Sequence, residues 1–422
     1  MEETSGNALP YRVGKWLPSD QAFLDDWLAG MIQRTHQEDR VLHPVILELQ
    51  HLIEGDPQVY MLFHQMFDQV PRKPPYNEDP TGRPRVRDYP HLLRLLNTVL
   101  TQAPEFNRSG LVGCPINAIL DWSMGTAAGS SAFLNPAINA VLKNVLNEWA
   151  RFLSSPDSTY VLDEDPRRGW FGADAKQAMP NFASEFQCEP NQPHHGFKSW
   201  DDFFVREFRP GVRPVARPDD DGCIVNACES APYRIARHVK FFDKFWIKSQ
   251  PYSLAHMLAH DSAAPLFVEG TIYQAYLSPL SYHRWHSPVT GTVAKAFVKD
   301  GSYYSETLAQ GFDSTGPNES QGYITAVATR ALIFIEADNS DIGLMCFLAV
   351  GMCEVSSCQI TVYEGQRVRK GDQLGMFHFG GSTHCLIFRP GVNLHFDHHG
   401  QMPSLKAVNI PVNARIATVC KT

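Results

Sequence analysis

The chain has 422 residues, 43% of them hydrophobic and 19% charged, with a formal net charge of -8 at pH 7. That length exceeds what one hydrophobic core usually organises, and the balance excludes a disordered or fibrous chain. An acidic surplus without a Lys/Arg block also excludes wholesale nucleic-acid binding and a polybasic hold on an anionic membrane.

In chain order, the opening MEETSGNALPYRVGKW carries acidic residues and no apolar stretch. It therefore reads as neither a secretory signal nor an Arg-rich transit peptide, and the expected compartment is the cytosol. From Ser19 to about Ser154 the pattern is helical. Ser19-Asp20 can cap a helix whose apolar residues Phe23, Trp27, Leu28 and Met31 fall at helical spacing. Further helices are expected over Val45 to Ile53, Val59 to Val70, His91 to Gln102, Ile116 to Met124 and Ile138 to Leu153. The Pro-rich, charged stretch Pro71 to Pro90 reads as an exposed connector. Composition breaks at Ser154 to Ser158 and Asp163 to Trp170 mark a boundary. We expect a helical domain over 1–160, a linker with a helix near Ala173 to Phe186 over 161–195, and a mainly β domain over 196–422. The predicted class is α+β.

In the second half, Val268 to Leu277, Gly291 to Val298, Ala331 to Ala337, Ile342 to Val350, Cys358 to Tyr363 and His384 to Phe388 are strand candidates bounded by turn residues. The most apolar run, Ile342 to Met352, has 11 residues. It is too short for the roughly 20 that span a bilayer as a helix, and reads as a buried strand.

The stretch GDQLGMFHFGGSTHCLIF, Gly371 to Phe388, offers a reaction the polypeptide can perform on itself. In a bent backbone the Ser382 hydroxyl can attack the Gly381 carbonyl in an N-to-O acyl shift. Loss of the Ser382 α-proton would then expel the Gly381 carboxylate and leave dehydroalanine, which hydrolyses to a pyruvoyl group. Adjacent glycines suit such close approach. Taken alone, Gly-Gly-Ser is ordinary loop composition and reads first as a flexible turn between strands.

SYHRWH places His283 and His286 in a Tyr- and Trp-flanked segment, and imidazole has the pKa for proton transfer near neutrality. If the segment is extended, residues 283 and 285 share a face and 286 points the other way; if it turns, both rings can face one pocket. No third ligand at a suggestive spacing supports a metal at H-x-x-H. The cluster His395, Asp397, His398 and His399 and the pair His194-His195 read as solvated loops. Nine cysteines, with C-x4-C pairs at Cys223/Cys228 and Cys353/Cys358 that match no common zinc spacing, read as free, mostly buried thiols, and no metal is expected. The sequons at Asn107 and Asn318 read as chance matches.

Three ordered motifs, WDDFFVREFRPGVRPV (Trp200 to Val215), SYHRWHSP, and EGQRVRKGDQLGMFHFGGST, together resemble the phosphatidylserine decarboxylases. Nearly the whole chain, including GDPQVYMLFHQMF and NEWARFLSSPDS in the helical half, is similar to the soluble fungal branch of that family. The resemblance implies self-cleavage after Gly381 and a pyruvoyl group made from Ser382. It also implies decarboxylation of a free amino acid, aromatic in kind such as tryptophan, through a Schiff base on that group without pyridoxal phosphate. Residue by residue, His286 matches the histidine that assists cleavage and His283 the neighbour that acts during decarboxylation. The family's aspartate falls at Glu229 in Ala227-Cys228-Glu229-Ser230, where a carboxylate with one more methylene is expected to orient His286. The two chains are expected to stay associated, with a small-molecule substrate, no nucleic acid and no transmembrane segment. Two other readings stand beside this one: an enzyme that keeps the phospholipid substrate, and a non-cleaving scaffold supported only by the Asp-to-Glu departure.

Overall fold

The computed structural model describes residues 21–37, 41–70, 86, 88–106, 114–243, 252–278, 280–307, 320–354 and 357–420. The expected cap at Ser19-Asp20, residues 71–85 and 87 of the expected connector and the two sequon asparagines lie outside the described residues, and Tyr89 and Pro90, expected in that connector, instead open a helix. The N-terminal half is helical: α1 (Gln21–Gln37), α2 (Pro44–Gly55), α3 (Pro57–Asp68), α4 (Tyr89–Val99), α5 (Pro115–Met124), α6 (Ala127–Leu134) and α7 (Pro136–Leu153). Five of these, α2 to α5 and α7, carry a proline in the first two positions, where a preset φ suits the helix and no N–H is wasted. The side chains of His43, Asp56, Asp88 and Asn135 accept first-turn N–H groups. Along α7, Ile138, Val141, Leu142, Val145, Leu146, Trp149 and Leu153 form one buried face.

Helix α6 was not expected. Its sequence AAGSSAFL offers small residues and no apolar period, and it is fixed instead by the Thr126 cap and by buried Ala128, Gly129, Ala132 and Phe133. The single helix expected over Ala173 to Phe186 is two, α8 (Ala173–Ala178) and α9 (Phe182–Glu185). Pro180 lies between them, removing an N–H and disfavouring helical angles at Met179. Short α10 (Trp200–Phe204) follows.

The remainder is mainly β: β1 (Cys223–Val225), β2 (Ala231–Arg237), α11 (Leu254–Met257), β3 (Thr271–Leu277), β4 (Arg284–His286), β5 (Gly291–Lys299), α12 (Gln321–Val327), β6 (Arg330–Ala337), β7 (Leu344–Met352), β8 (Ser357–Ile360), β9 (Arg367–Val368), β10 (Gln373–His378), β11 (Gly381–Phe388), β12 (Leu394–Phe396) and β13 (Arg415–Val419). A seven-stranded antiparallel sheet runs β2-β3-β11-β7-β6-β5-β9, with β11 central between β3 and β7. Two three-stranded sheets, β4-β10-β8 and β1-β13-β12, complete the domain.

Period-two alternation separates two apolar cores across the large sheet. Leu386 and Phe388 pack in a core with Trp285, Phe377 and Ile416, which come from the two smaller sheets. Cys385 and Ile387 pack on the opposite face with Leu254 of α11 and Ile324 of α12. The helical half has its own core, and Tyr282, Tyr303, Tyr304, Phe379 and Val412 join it from the β half. Among the described residues no helix is long and apolar enough to cross a membrane.

Candidate active site

Strand β10 belongs to a small sheet and β11 to the large one, with only Phe379 and Gly380 between them. The chain turns that corner with φ of 35° at Phe379 and 100° at Gly380. Gly380 tolerates the left-handed region; for Phe379 it costs on the order of 1–3 kcal/mol. The Phe379 ring is held by Trp149 of α7 at 5.6 Å between centroids, so the helical half braces the corner. Strand β11 was expected to begin at His384. It begins at Gly381, so the turn between strands is Phe379 and Gly380, while Gly381 and Ser382 already belong to a central strand.

Ser382 lies opposite Leu277 of β3 and Gly351 of β7 and is fully buried. Its Oγ has no hydrogen-bond partner. A buried polar group left unpaired costs about 1–3 kcal/mol, which ordinary packing would have selected away. What stands here is a buried hydroxyl without a protein partner, directly after the carbonyl of a residue without a Cβ.

Segment 282–286 takes the extended alternative. His283 and Trp285 are buried on the inner side, while Arg284 and His286 are only partly buried. The His283 carbonyl accepts the Phe377 N–H at 3.0 Å, fixing His283 beside β10 just before the corner. Its ring stacks on Phe204 of α10 at 4.1 Å. Neither ring nitrogen has a partner of hydrogen-bond geometry. Burial pushes its pKa down to about 3; the neighbouring Arg206 guanidinium adds to this and the Ser281 backbone opposes it. Arg206 is itself buried, donating to the carbonyls of Phe203, Leu280 and Ser281. Burial lowers its pKa to about 10, which leaves it cationic at neutral pH.

Both ring nitrogens of His286 are engaged. Nδ1 lies 2.7 Å from the Gly371 carbonyl and Nε2 lies 2.8 Å from Tyr282 Oη. A carbonyl only accepts, so Nδ1 carries the proton, and in the neutral ring Nε2 accepts from the tyrosine. Burial is the main cause that lowers the His286 pKa and raises that of Tyr282, so the tyrosine keeps its proton.

Glu229 does not orient His286. Its carboxylate accepts from Arg213, with Nη2 at 2.8 Å, and from the Val412 N–H at 2.8 Å. Arg213 also reaches Glu185 at 3.2 Å. The charge-assisted fork of Arg213 outweighs what a neutral imidazole offers a carboxylate. Glu229, Arg213 and Tyr282 line a cavity of about 260 Å³ walled by Phe182, Phe186 and Phe208. A larger cavity of about 460 Å³ beside His195 and Arg284 touches none of Ser382, His283, His286 or Glu229. The smaller one is not lined by Ser382, His283 or His286 either, but it reaches Glu229 and Tyr282, the hydrogen-bond partner of His286, and on that ground is the candidate substrate cavity.

One residue escaped the sequence reading. His384 stands two residues after Ser382 on β11 and so shares its face. It is fully buried, with Nε2 3.0 Å from Ser230 Oγ and Nδ1 without a partner. Burial pushes its pKa down to about 3. The signal was present: Ser382, His384, Leu386 and Phe388 alternate on one side of the expected strand.

Of the C-terminal histidine cluster, His395 and His399 are exposed, His399 Nε2 lies 2.8 Å from the Arg415 carbonyl, and Asp397 pairs with Arg415. The solvated-loop reading is corrected for His398, which is part-buried with Nε2 unpartnered and stacks on Tyr273 at 6.2 Å, the ring that also lies 6.2 Å from His384. His195 stacks on Phe171 at 3.6 Å, and His194 Nδ1 meets the Leu162 carbonyl at 2.9 Å.

Two family models described as phosphatidylserine decarboxylase match residues 43–179 and 200–404. "Decarboxylase iboD" of Amanita muscaria is 45% identical over 296 residues, 66% of this chain and 84% of that protein. The L-tryptophan decarboxylase of Psilocybe cubensis is 35% identical over 406 residues, 90% of this chain and 89% of that protein. Phosphatidylserine decarboxylase proenzyme 3 of Schizosaccharomyces pombe is 33% identical over 206 residues, 48% of this chain and 20% of that protein.

Proposed function

The chain belongs to the phosphatidylserine decarboxylase family, and from that premise we propose that it is a self-processing, pyruvoyl-dependent decarboxylase of a free amino acid, aromatic in kind such as tryptophan. The observation that carries this reading is the buried, unpartnered Ser382 Oγ immediately after Gly381 at the β10–β11 corner. The similarity to a protein named as a proenzyme supports processing, and that to an L-tryptophan decarboxylase over 90% of this chain supports the substrate class.

In processing, Ser382 Oγ bonds to the Gly381 carbonyl carbon as the Gly381–Ser382 C–N bond breaks, and the hydroxyl proton passes to the freed nitrogen. Loss of the Ser382 α-proton then breaks the ester Cβ–O bond and releases the Gly381 carboxylate. Water replaces the nitrogen of the dehydroalanine, which leaves as ammonia. The base assigned to these proton transfers is His286, which communicates with the cavity through Tyr282 Oη.

A pyruvoyl group at residue 382 supplies a ketone for the substrate amine and an electron sink for the carbon that loses carbon dioxide, so pyridoxal phosphate has no part. His283 is assigned the proton returned to the substrate carbon. Burial and the Arg206 guanidinium hold its pKa down to about 3, so the ring takes up that proton only when an anionic substrate binds beside it. His384, bonded to Ser230, orders the floor next to residue 382. Phe182, Phe186, Phe208 and Tyr282 offer aromatic walls, and Arg213 and Glu229 offer charge for the amino-acid head group.

The test is a denaturing mass measurement of the full chain, followed by assays with free tryptophan and with phosphatidylserine vesicles separately. Fragments of residues 1–381 and 382–422 are expected, with carbon dioxide from the amino acid. Carbon dioxide from vesicles alone overturns the substrate class. An uncut, inactive chain overturns self-processing and favours the scaffold reading.

A further inference from the structure

Away from the cavity, Cys114 of the helical half meets Cys353 and Glu354 just past the end of β7. All three are buried, and their two sulfurs and a carboxylate oxygen lie within 4.8 Å of one another. Tetrahedral zinc with bonds of about 2.3 Å to sulfur holds its sulfurs roughly 3.8 Å apart, so the triad need close by only about an ångström. Two soft thiolates and one carboxylate suit a thiophilic cation and do not suit magnesium or calcium, which take oxygen.

The surroundings resemble the second layer of a metal site. Glu354 Oε1 is fixed by the Asn117 N–H in the first turn of α5, at 2.8 Å, and the Cys114 thiol interacts with both Glu354 and Cys353, so the three groups already address one another. Cys114 immediately precedes that helix. Asn117 is 1% exposed, and neither atom of its side-chain amide has a partner. It lines, with Cys353, Tyr304 and Glu306, a small space of about 10 Å³, room for about one water. Three candidate ligand atoms thus converge beside an unsatisfied amide, and one of them, on Cys353, borders the same water-sized space as that amide, an arrangement that packing alone does not require.

We propose that Cys114, Cys353 and Glu354 bind a thiophilic divalent cation of the zinc class, with a water held by Asn117 as fourth ligand. On binding, both thiols and the carboxyl give up their protons, and the ion ties α5 to the end of β7, where Met352 lies opposite Gly381. Chain spacing could not show this site. Its cysteines are far apart in sequence, and Cys358, the C-x4-C partner of Cys353, packs in the other core, beside Trp285.

The test uses the full chain loaded with zinc, passed over a chelating resin and analysed for metal, and in parallel loaded with cobalt(II). Stoichiometric zinc and a near-ultraviolet thiolate-to-cobalt absorption are expected, both lost in Cys114→Ser and Cys353→Ser and kept in Cys420→Ser, whose thiol is exposed. Should the two buried variants not fold, the wild type decides alone, because zinc must bleach the cobalt absorption. A chain that retains no metal and gives no such absorption overturns the site. So does a Cys114–Cys353 disulfide in the mass map of the native protein.

Discussion

On the outer face of β4 every side-chain nitrogen of Arg284 and His286 is engaged. Arg284 reaches the Val205 carbonyl, Gln373 and Glu207, and His286 reaches Gly371 and Tyr282. On the inner face of the same segment, His283 and Trp285 bury three ring nitrogens, none with a partner. Two residues along β11 from Ser382, itself unpartnered, His384 repeats the inner pattern with one nitrogen. The outer face is what folding alone would build. The inner face carries several unpaired groups at about 1–3 kcal/mol each, a burden consistent with groups that await a substrate or a reacting backbone. Histidine in the sequence does not distinguish these faces; its hydrogen-bond state does.

The largest effect that separates the faces is on chain integrity. Ser382→Ala is expected to remain one polypeptide, and His286→Ala to remain mostly so, whereas His283→Ala is expected to yield both chains. Denaturing electrophoresis reads this directly. A cleaved Ser382→Ala would end the acyl-shift mechanism, and an uncut His283→Ala beside a fully active, cleaved His286→Ala would exchange the roles of the two faces.

Next in size is turnover. A positioned proton donor is typically worth about 10² to 10⁴ in rate, so processed His283→Ala is expected to lose that much in kcat. The same variant should hold its stability better than a core truncation does, because it removes two unpaired nitrogens along with the packing against Phe204. Wild-type kcat in His283→Ala would place the inner face outside the chemistry.

Much of this was legible in advance, and what was missed shares a cause. Proline and its capping neighbour mark helix starts at Asp56-Pro57 and Asn135-Pro136, and continuous apolar runs mark β6 and the end of β11, because these signals are local. Ser382, His283 and His286 could be picked out because each sits in a compact motif. The partner of Glu229 could not, since Arg213 reaches it only once two loops have folded together. Nor could the meeting of Cys114 with Cys353, brought about by packing of α5 on the end of β7. Helix α6 lacked any apolar period to read.

Glu229 tests whether the outer network acts through His286 or through structure. It is 9% exposed and pairs with Arg213, which is also held by Glu185. Removing one partner of a fully buried pair costs about 3–5 kcal/mol, and less here because Arg213 is part-exposed and keeps Glu185. Glu229→Ala is therefore expected to lower the urea midpoint and the yield of folded chain, while the pH profile of self-cleavage in the protein that does fold keeps its midpoint. A shifted midpoint would restore a direct coupling of Glu229 to His286.

The smallest effect is acid sensitivity. His283 and His384 are each held neutral with a pKa of about 3 in the fold, against about 6.5 in the unfolded chain. As pH falls below 6.5 the unfolded chain takes up protons that the folded chain refuses. Each histidine therefore withdraws up to about 1.4 kcal/mol of stability per pH unit, until its folded pKa is reached near 3. The contribution is fully present above pH 6.5 and is lost on the acid side. Urea unfolding of uncleaved Ser382→Ala at pH 7 and pH 5 measures the fall, and adding His384→Val should remove one histidine's share of it. Valine suits a strand, and comparing each protein with itself across pH cancels its packing cost. An unchanged fall would mean that His384 is already protonated or paired in the fold, and the inner face would then lose one of its unsatisfied groups.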